Sequence, residues 1–382
     1  MGYKFKKQIF GWMDLLRFKK LVPNREKHLS EGSEKPLPTS YKVNEVAAIL
    51  HPGLQKATLT AIKEETKDTK AYTFELSLPM LFRAGQYVTL RKKIGDSLIN
   101  RPYGVASSPL ESLHNKSLTL MIKKAGFFSD YLFDNAKVGD EFEIVGPSGF
   151  FYYEPLTDKK EVIAVAGGSG ITPFLAMAKA IVEGQEDFHM TLLYGANKEE
   201  ELIAKDELDK LPQDKIKVVY VLANEEKKGY EHGFISAELI NKYAPESYTL
   251  MFCGSDGMGK FLNGELKKLK GLHNFKSEKN AVGMRDVKPA TYNLTVHIND
   301  QVYEVKASNN ETLLVSMERA DLSVPSSCQS GGCGFCHSKL VSGKFSIAGA
   351  DKRRLADVKF GYIHPCVTYP DSDMEIIVLQ AK

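Results

Sequence analysis

The five cysteines carry the most specific chemistry in this 382-residue sequence. Cys328, Cys333 and Cys336 form a C-x4-C-x2-C run, and Cys366 follows after 29 intervening residues. Three thiolates from one tight loop and a fourth from a distance is the spacing that holds a [2Fe–2S] cluster. Zinc is the alternative, although its sites more often present two close C-x2-C pairs. A disulfide framework is not expected in a reducing compartment. Gly331, Gly332 and Gly334 lie among the ligands. A loop wrapped around a cluster must turn its N–H groups toward the sulfurs, and glycine reaches positive φ without steric cost. Four thiolates complete such a site, so the flanking His337 and His364 read as ordinary surface or core histidines.

A second constellation is Arg101-Pro102-Tyr103-Gly104, preceded by Gly85-Gln86-Tyr87 and followed by Gly126-Phe127-Phe128-Ser129 and Gly146-Pro147-Ser148-Gly149. A guanidinium forks onto phosphate oxygens. A phenol ring stacks on a flat heterocycle. A helix N-terminus opened by a glycine and a hydroxyl receives a phosphate. The third is Gly168-Ser169-Gly170-Ile171-Thr172-Pro173, which follows the apolar run Val162–Ala166 and precedes a helical stretch. Strand, glycine turn and helix let backbone amides approach a pyrophosphate. Cys253-Gly254 ends a later apolar run, at the strand end where open α/β sheets bind ligands. The bland reading of Cys253 is a buried small apolar residue.

These motifs need elements to hold them. Short strands with turn signals run from Leu54 to about Pro155, at Ala57–Ile62, Ala71–Leu78, Tyr87–Leu90, Ser117–Ile122 and Glu141–Val145, which suggests a small antiparallel barrel. An α/β pattern follows, with strands at 161–166, 190–194, 217–222 and 248–253 and helices at 174–182, 200–208, 236–242 and 258–269. Near the C-terminus, Tyr292–Ile298 and Gln301–Val305 alternate around Asn299-Asp300 as a hairpin. Glu311–Ala320 has helical spacing, and Glu375–Leu379 reads as a last strand. The expected domains are residues 51–157, 158–282 and 290–382, with a linker at 283–289 and an arm with its own linker at 1–50.

Residues 1–27 hold eight Lys/Arg and two acids, a charge of +6 that leaves −3 for the rest. Phe5, Ile9, Trp12, Met13 and Leu16 recur there at helical spacing. Packing on the chain's own body is the first expectation for residues 3–22; peripheral membrane or partner contact is the alternative. Asn24–Ser40 reads as a linker. No basic stripe recurs elsewhere, so nucleic acid is not an expected partner. No signal peptide and no run of about 20 apolar residues is evident, which makes a cytoplasmic place the expectation.

The C-terminal segment resembles the plant-type ferredoxin, a β-grasp domain, with Ser326 and Gln329 where that family often carries tyrosine and arginine. The barrel and α/β segments resemble the ferredoxin–NADP reductase superfamily. That resemblance implies Arg101, Tyr103, Gly104, Gly126, Phe127, Phe128 and Ser129 around the flavin and its pyrophosphate. It implies Gly168, Gly170 and Thr172 near the nicotinamide dinucleotide, with Cys253 the catalytic candidate and Gly254 beside it near the nicotinamide ring. The family usually has a hydroxyl where Gly104 stands. FAD is favoured over FMN because both glycine segments after the arginine are present. Asn197 sits at the strand end that meets the adenosine ribose. The acids Glu199, Glu200 and Glu201 beside it favour NADH, while Lys198 keeps NADPH as the alternative.

The whole arrangement resembles single-chain reductase components of oxygenase systems. It implies electron flow from NADH through flavin and cluster to a protein acceptor, an oxygenase or another metalloenzyme. The alternative is a redox-sensing or docking module with little turnover.

Overall fold

The structure is a computed structural model that describes residues 12–32, 41–50, 53–279 and 284–379. It divides into two units between Val46 and Ala47. In the first, helix α1 spans Trp12–Ser30. It overrides the linker expected from Asn24, because Arg25, Glu26 and Lys27 are strong helix formers and Pro23 does not end the run. Lys27 pairs with Glu31 at 3.7 Å, and the Ser30 hydroxyl closes the last turn on the Lys27 carbonyl at 2.8 Å. Phe5 and Ile9 of the amphipathic pattern lie outside the described residues. Helix α2 spans Lys42–Leu50.

The second unit holds three sheets that account for the sequence motifs. The first is antiparallel and built from β1 (Leu54–Thr66), β2 (Thr69–Leu76), β3 (Tyr87–Ile94), β4 (Ser97–Gly104), β5 (Ser117–Lys123) and β6 (Glu141–Ser148), in the order β4-β3-β6-β1-β2-β5. A bridge from Val105 to Leu120 joins the ends of β4 and β5 and closes the barrel. Leu59, Phe74, Val88, Leu90, Leu120 and Ile144 fill its interior with no exposed area. Helices α3 (Pro109–Asn115) and α4 (Phe127–Asn135) interrupt the strands. Helix α3 is absent from the sequence reading. Ser108 caps it by accepting from the Glu111 amide, and Pro109 starts it.

The second sheet is parallel, in the order β10-β9-β8-β7-β11-β12. It comprises β7 (Glu161–Gly167), β8 (His189–Ala196), β9 (Ile216–Leu222), β10 (Glu231–His232), β11 (Tyr248–Gly254) and β12 (Leu272–Lys279). Its central strands are continuous apolar runs because helices cover both faces. These are α5 (Thr172–Val182), α6 (Lys205–Leu208), α7 (Ala237–Tyr243) and α8 (Asp256–Glu265). The helix expected at 200–208 is instead a short 3-10 turn, Glu199–Glu201, and then α6. Ala204 breaks the run in the left-handed region at φ 56°, and its amide donates to Glu65 of β1 at 3.1 Å. Strand β12 replaces what reads in sequence as a polar stretch. Buried Asp158 anchors it, accepting from Asn274 at 2.7 Å and pairing with Lys276.

The third sheet is mixed, in the order β14-β13-β19-β15-β17, with a separate ribbon β16-β18. Its strands are β13 (Thr291–Ile298), β14 (Gln301–Ser308), β15 (Ser338–Ser342), β16 (Phe345–Ile347), β17 (Tyr362–Ile363), β18 (Thr368–Pro370) and β19 (Met374–Val378). The β13–β14 hairpin turns at Asn299, whose φ of 55° suits asparagine. Helix α9 (Leu313–Arg319) buries Leu313, Leu314 and Met317 against the sheet, so Glu318 is left on another side of the helix. Helix α10 (Leu355–Lys359) lies near the cysteines. A barrel, a doubly covered parallel sheet and a compact third sheet with one crossing helix agree with the expected fold class. Among the described residues no helix is long and apolar enough to cross a membrane.

Leu314→Ala empties a fully buried position and is expected to cost about 2–5 kcal/mol, read as a lower urea midpoint. Leu355→Ala, at a residue 89% exposed, is expected to leave the midpoint unchanged.

Candidate functional site

The cysteine loop is shaped from the backbone outward. Gln329, Gly331 and Gly334 adopt φ of 53°, 75° and 70°. These turns aim amides at sulfur: Cys328 Sγ accepts from Ser330 and Cys333 at 3.5 and 3.4 Å, and Cys333 Sγ accepts from Phe335 at 3.4 Å. Cys366 stands on the turn Pro365–Val367, in hydrogen-bonding reach of both Cys328 and Cys336. The Cys366 thiol and the neighbouring Ser330 and Cys333 groups hold the Cys328 thiol well below its usual range. Glycine is required at 331, where a Cβ would stand 2.9 Å from Val367 in the left-handed region. Gln329 Nε2 is buried and has no partner among the described residues. Among the described residues no three His, Cys, Asp or Glu side chains are grouped to hold a single metal ion. Four facing thiols, inward amides and a spare buried donor fit a thiolate-held cluster with acceptor sulfides. His364 does not join them: its ring nitrogens lie 2.8 Å from the Gly331 carbonyl and 3.2 Å from Asp357.

This loop faces the barrel across a polar seam. Arg101 of β4 forks onto Glu318 of α9, with contacts of 3.0 and 2.5 Å. Burial opposes the Arg101 charge, but Glu318 outweighs it and the guanidinium pKa rises. Asn100 donates to the carbonyl and hydroxyl of Ser326 at 3.2 and 3.1 Å. Ser326 therefore spends its small polar side chain on the seam. Asp321 accepts from the amides of Asp96 and Ser97 at 2.6 and 3.2 Å. Arg319 lies over the Phe127 ring at 4.9 Å.

The residues assigned to flavin divide accordingly. Arg101 commits its fork to Glu318, and Phe127 faces Arg319. Phe128 is 2% exposed within the barrel core, so only its backbone is available to a ligand. The Ser129 hydroxyl is used within its own turn, donating to Gly126 and accepting from Ala125. Gly126 has φ 142° and open space where a Cβ would stand, as does Gly168 at φ 53°. Both present bare backbone, as a close phosphate requires. Tyr103 and Gly104 lie at the end of β4, and Thr172 Cγ2 stands 3.4 Å from the place of a Gly104 Cβ. The flavin motif and the nucleotide turn are thereby adjacent.

On the nucleotide side, a 3-10 turn at Gly168–Ile171 leads into α5. The Thr172 hydroxyl donates to Ser169 at 2.8 Å, and the Tyr194 hydroxyl donates to Gly168 at 3.1 Å. Gly170 packs on the end of β11, where a Cβ would meet the Cys253 carbonyl at 2.1 Å. Burial pushes the Cys253 thiol far up, so it is neutral. Asn197 is held by Glu201, its side chain donating at 3.0 Å, and Glu199 is paired with Lys227.

The sequence reading missed Glu278. It lies opposite Cys253 in the β11–β12 register, half-buried, with its carboxyl pushed up to about 7 by burial. Tyr87 sits beside it: a Cβ on Gly149 would stand 2.9 Å from the Tyr87 ring and 3.8 Å from Glu278 Oε1. Burial raises the Tyr87 phenol, and Glu278, Cys328 and Cys333 raise it further. Tyr87 thus senses both the nucleotide side and the cysteine loop. Its place next to Gly85-Gln86 in the flavin motif was the available signal.

Comparison with known proteins agrees with this geometry. Residues 56–153 match the oxidoreductase FAD-binding domain, 164–264 the oxidoreductase NAD-binding domain, and 296–371 the 2Fe-2S iron-sulfur cluster binding domain. NADH-cytochrome b5 reductase 1 of Dictyostelium discoideum is 35% identical over 202 residues, covering 51% of this chain and 68% of that protein. The ferredoxin reductase component of 3-ketosteroid-9-alpha-monooxygenase from Rhodococcus rhodochrous is 27% identical over 83% of this chain and 94% of its own. The solved phthalate dioxygenase reductase superposes with a TM-score of 0.64 at 22% identity, covering 86% of this chain and 98% of that one. The chain belongs to the ferredoxin–NADP reductase superfamily, in the form that carries a [2Fe–2S] ferredoxin domain after the nucleotide domain. It is an electron-transfer reductase with FAD-binding, NAD-binding and [2Fe–2S] domains.

Glu278 is expected to impose a pH dependence. Its carboxyl ionises near 4.5 when unfolded and near 7 when folded, so its contribution to stability is full below pH 4.5 and is lost as pH rises to 7. Glu278→Gln is expected to remove that part of the slope in urea midpoints measured from pH 4.5 to 8. It is also expected to flatten a step near pH 7 in the rate of flavin bleaching by NADH.

Proposed function

We propose that this reductase takes electrons from NADH, moves them through FAD and the cluster, and delivers them singly to a protein acceptor, an oxygenase component. The observation that supports this most is the seam between barrel and cysteine loop. Arg101, Asn100 and Ser97 bind α9 and the segment after it, while Tyr87 lies within electrostatic range of Cys328 and Cys333. Relatives named as reductase components of 3-ketosteroid-9-alpha-monooxygenase and glycine betaine monooxygenase favour an oxygenase as acceptor.

Bound flavin supplies the conversion between a two-electron hydride and single electrons. The chain supplies placement. Tyr103 and Gly104 bound the ring site, and Arg101 sets the edge of β4 through Glu318. The Gly126–Ser129 turn takes the flavin pyrophosphate through the amides of Phe127 to Ser129, the Gly126 amide itself donating to Asp130 at 3.2 Å. The amides of Gly168 and Gly170 take the dinucleotide, with Thr172 at the meeting point. Gly254 lets the strand end close on the Phe252 ring, where a Cβ would stand 3.1 Å away, and Cys253 offers a neutral, polarisable wall there. Asn197, fixed by Glu201, meets the adenosine ribose, and the acids around it favour NADH over NADPH. Glu278, its carboxyl pushed up to about 7 by burial, holds a proton beside Cys253 below that pH and releases it above.

The test is Cys333→Ser. NADH is expected to bleach the flavin at the unaltered rate, while reduction of cytochrome c falls to background. Undiminished cytochrome c reduction would take the cluster out of the path.

A further inference from the structure

The ferredoxin domain is polarised in a way that the reaction so far does not use. Residues 339–361 carry six Lys/Arg against two acids, whereas the rest of 290–382 carries three against eight. The positive stretch includes α10, which rests on the cysteine loop. Arg354 approaches Gly334, its Nη2 lying 3.3 Å from the place of a Cβ there. Asp357 joins Arg354 to His364, and His364 reaches the Gly331 carbonyl. Apolar side chains stand out among these charges: Leu355 is 89% exposed, Phe335 61%, Phe360 60% and Val358 47%. Phe335 lies between two ligands, Cys333 and Cys336, and Cys333 itself is exposed.

Exposed apolar side chains interspersed with charges mark a surface suited to a transient protein interface. The domain is otherwise acidic, and its positive charge gathers on the segment that rests on the cysteine loop through Arg354. We propose that Phe335, Leu355, Val358 and Phe360, rimmed by Lys352 and Lys359, dock a one-electron protein acceptor whose own redox centre is surrounded by carboxylates. The proposal rests on the electron-transfer reading above and names the chemistry of the partner. One NADH gives NAD⁺ and a proton, and its two electrons leave through this face into two acceptor molecules, one each. Opposite charges raise the encounter rate and fix the orientation, and the apolar centre excludes water between the partners.

The experiment uses the full holoprotein and two haem proteins of opposite charge, the acidic soluble domain of cytochrome b5 and basic cytochrome c. Wild type, Lys352→Glu/Lys359→Glu and Leu355→Ala are compared at low and high salt. Anaerobic reduction of flavin and cluster by NADH, followed without any acceptor, is expected to be the same in all three. For cytochrome b5, kcat/KM is expected to fall about tenfold in the charge-reversed protein at low salt, through KM, with the difference vanishing above a few tenths molar salt. Cytochrome c is expected to move the other way. Leu355→Ala is expected to slow cytochrome b5 reduction several-fold at every salt concentration. Rates for both haem proteins that ignore the charge reversal, or change with the same sign, overturn the docking face alone. A cluster that NADH leaves oxidised in wild type overturns the electron-transfer reading beneath it.

Discussion

The forked pair between Arg101 and Glu318 is the contact on which the seating of the ferredoxin segment against the barrel depends. Electron exchange between a flavin and a cluster fades steeply with separation, so the ferredoxin domain must be seated at one position on the barrel and no other. An apolar seam would hold the two surfaces together but tolerate sliding. A buried ion pair adds little net stability, yet breaking it by displacement strands a charge at large cost. Here the side chains are 14% and 2% exposed, so a shift of one residue is strongly penalised. Neighbouring contacts point the same way. Asp321 caps two amides at the β3–β4 turn, and Gly95 is the residue that permits it: a Cβ there would stand 2.2 Å from the Asp321 carboxylate.

This explains why the site was only partly legible in sequence. The cysteine loop was, because bringing its thiols together with Cys366 needs fixed spacing and glycine within a few residues. The parallel sheet was, because buried strands read as unbroken apolar runs. Arg101 was legible as a charge meant for an anion, but not as one whose fork meets a carboxylate 217 positions away. No local pattern carries that information. Phe127 and Phe128 look alike in sequence, yet the helix turns one toward Arg319 and the other into the core. Strand β12 was missed because its residues alternate weakly. What makes it a strand is Asp158, buried more than a hundred residues earlier, holding Asn274 and Lys276. Glu278 was lost with it.

The electrostatic design then divides the molecule by function. Where the nicotinamide ring is expected, the groups are neutral or nearly so: a buried thiol at Cys253 and a carboxyl at Glu278 whose ionisation is held near pH 7. A fixed charge there would favour one redox form of the nucleotide over the other. Around the cysteines the pattern reverses. Amides and thiols converge on Cys328 and favour its charged form, which a metal requires before it binds. Tyr87 stands between these regions and feels the acids of both, so its phenol stays protonated and adds no charge to the gap.

The same logic accounts for the small residues at the centre. A stacked pair of rings needs the two chains that carry them to approach more closely than side chains permit. Gly170 against the Cys253 carbonyl, and Gly104 against the Thr172 methyl, are the two places where barrel strand, nucleotide turn and strand end close on one another. A hydroxyl stands within a few ångströms of Gly104, on Thr172, but that group already donates to Ser169. A proton shuttle through it would require the first turn of α5 to release a bond that shapes the dinucleotide site. Glu278, opposite Cys253 in the β11–β12 register, is a titratable group outside that turn, and a change in its charge leaves the turn intact.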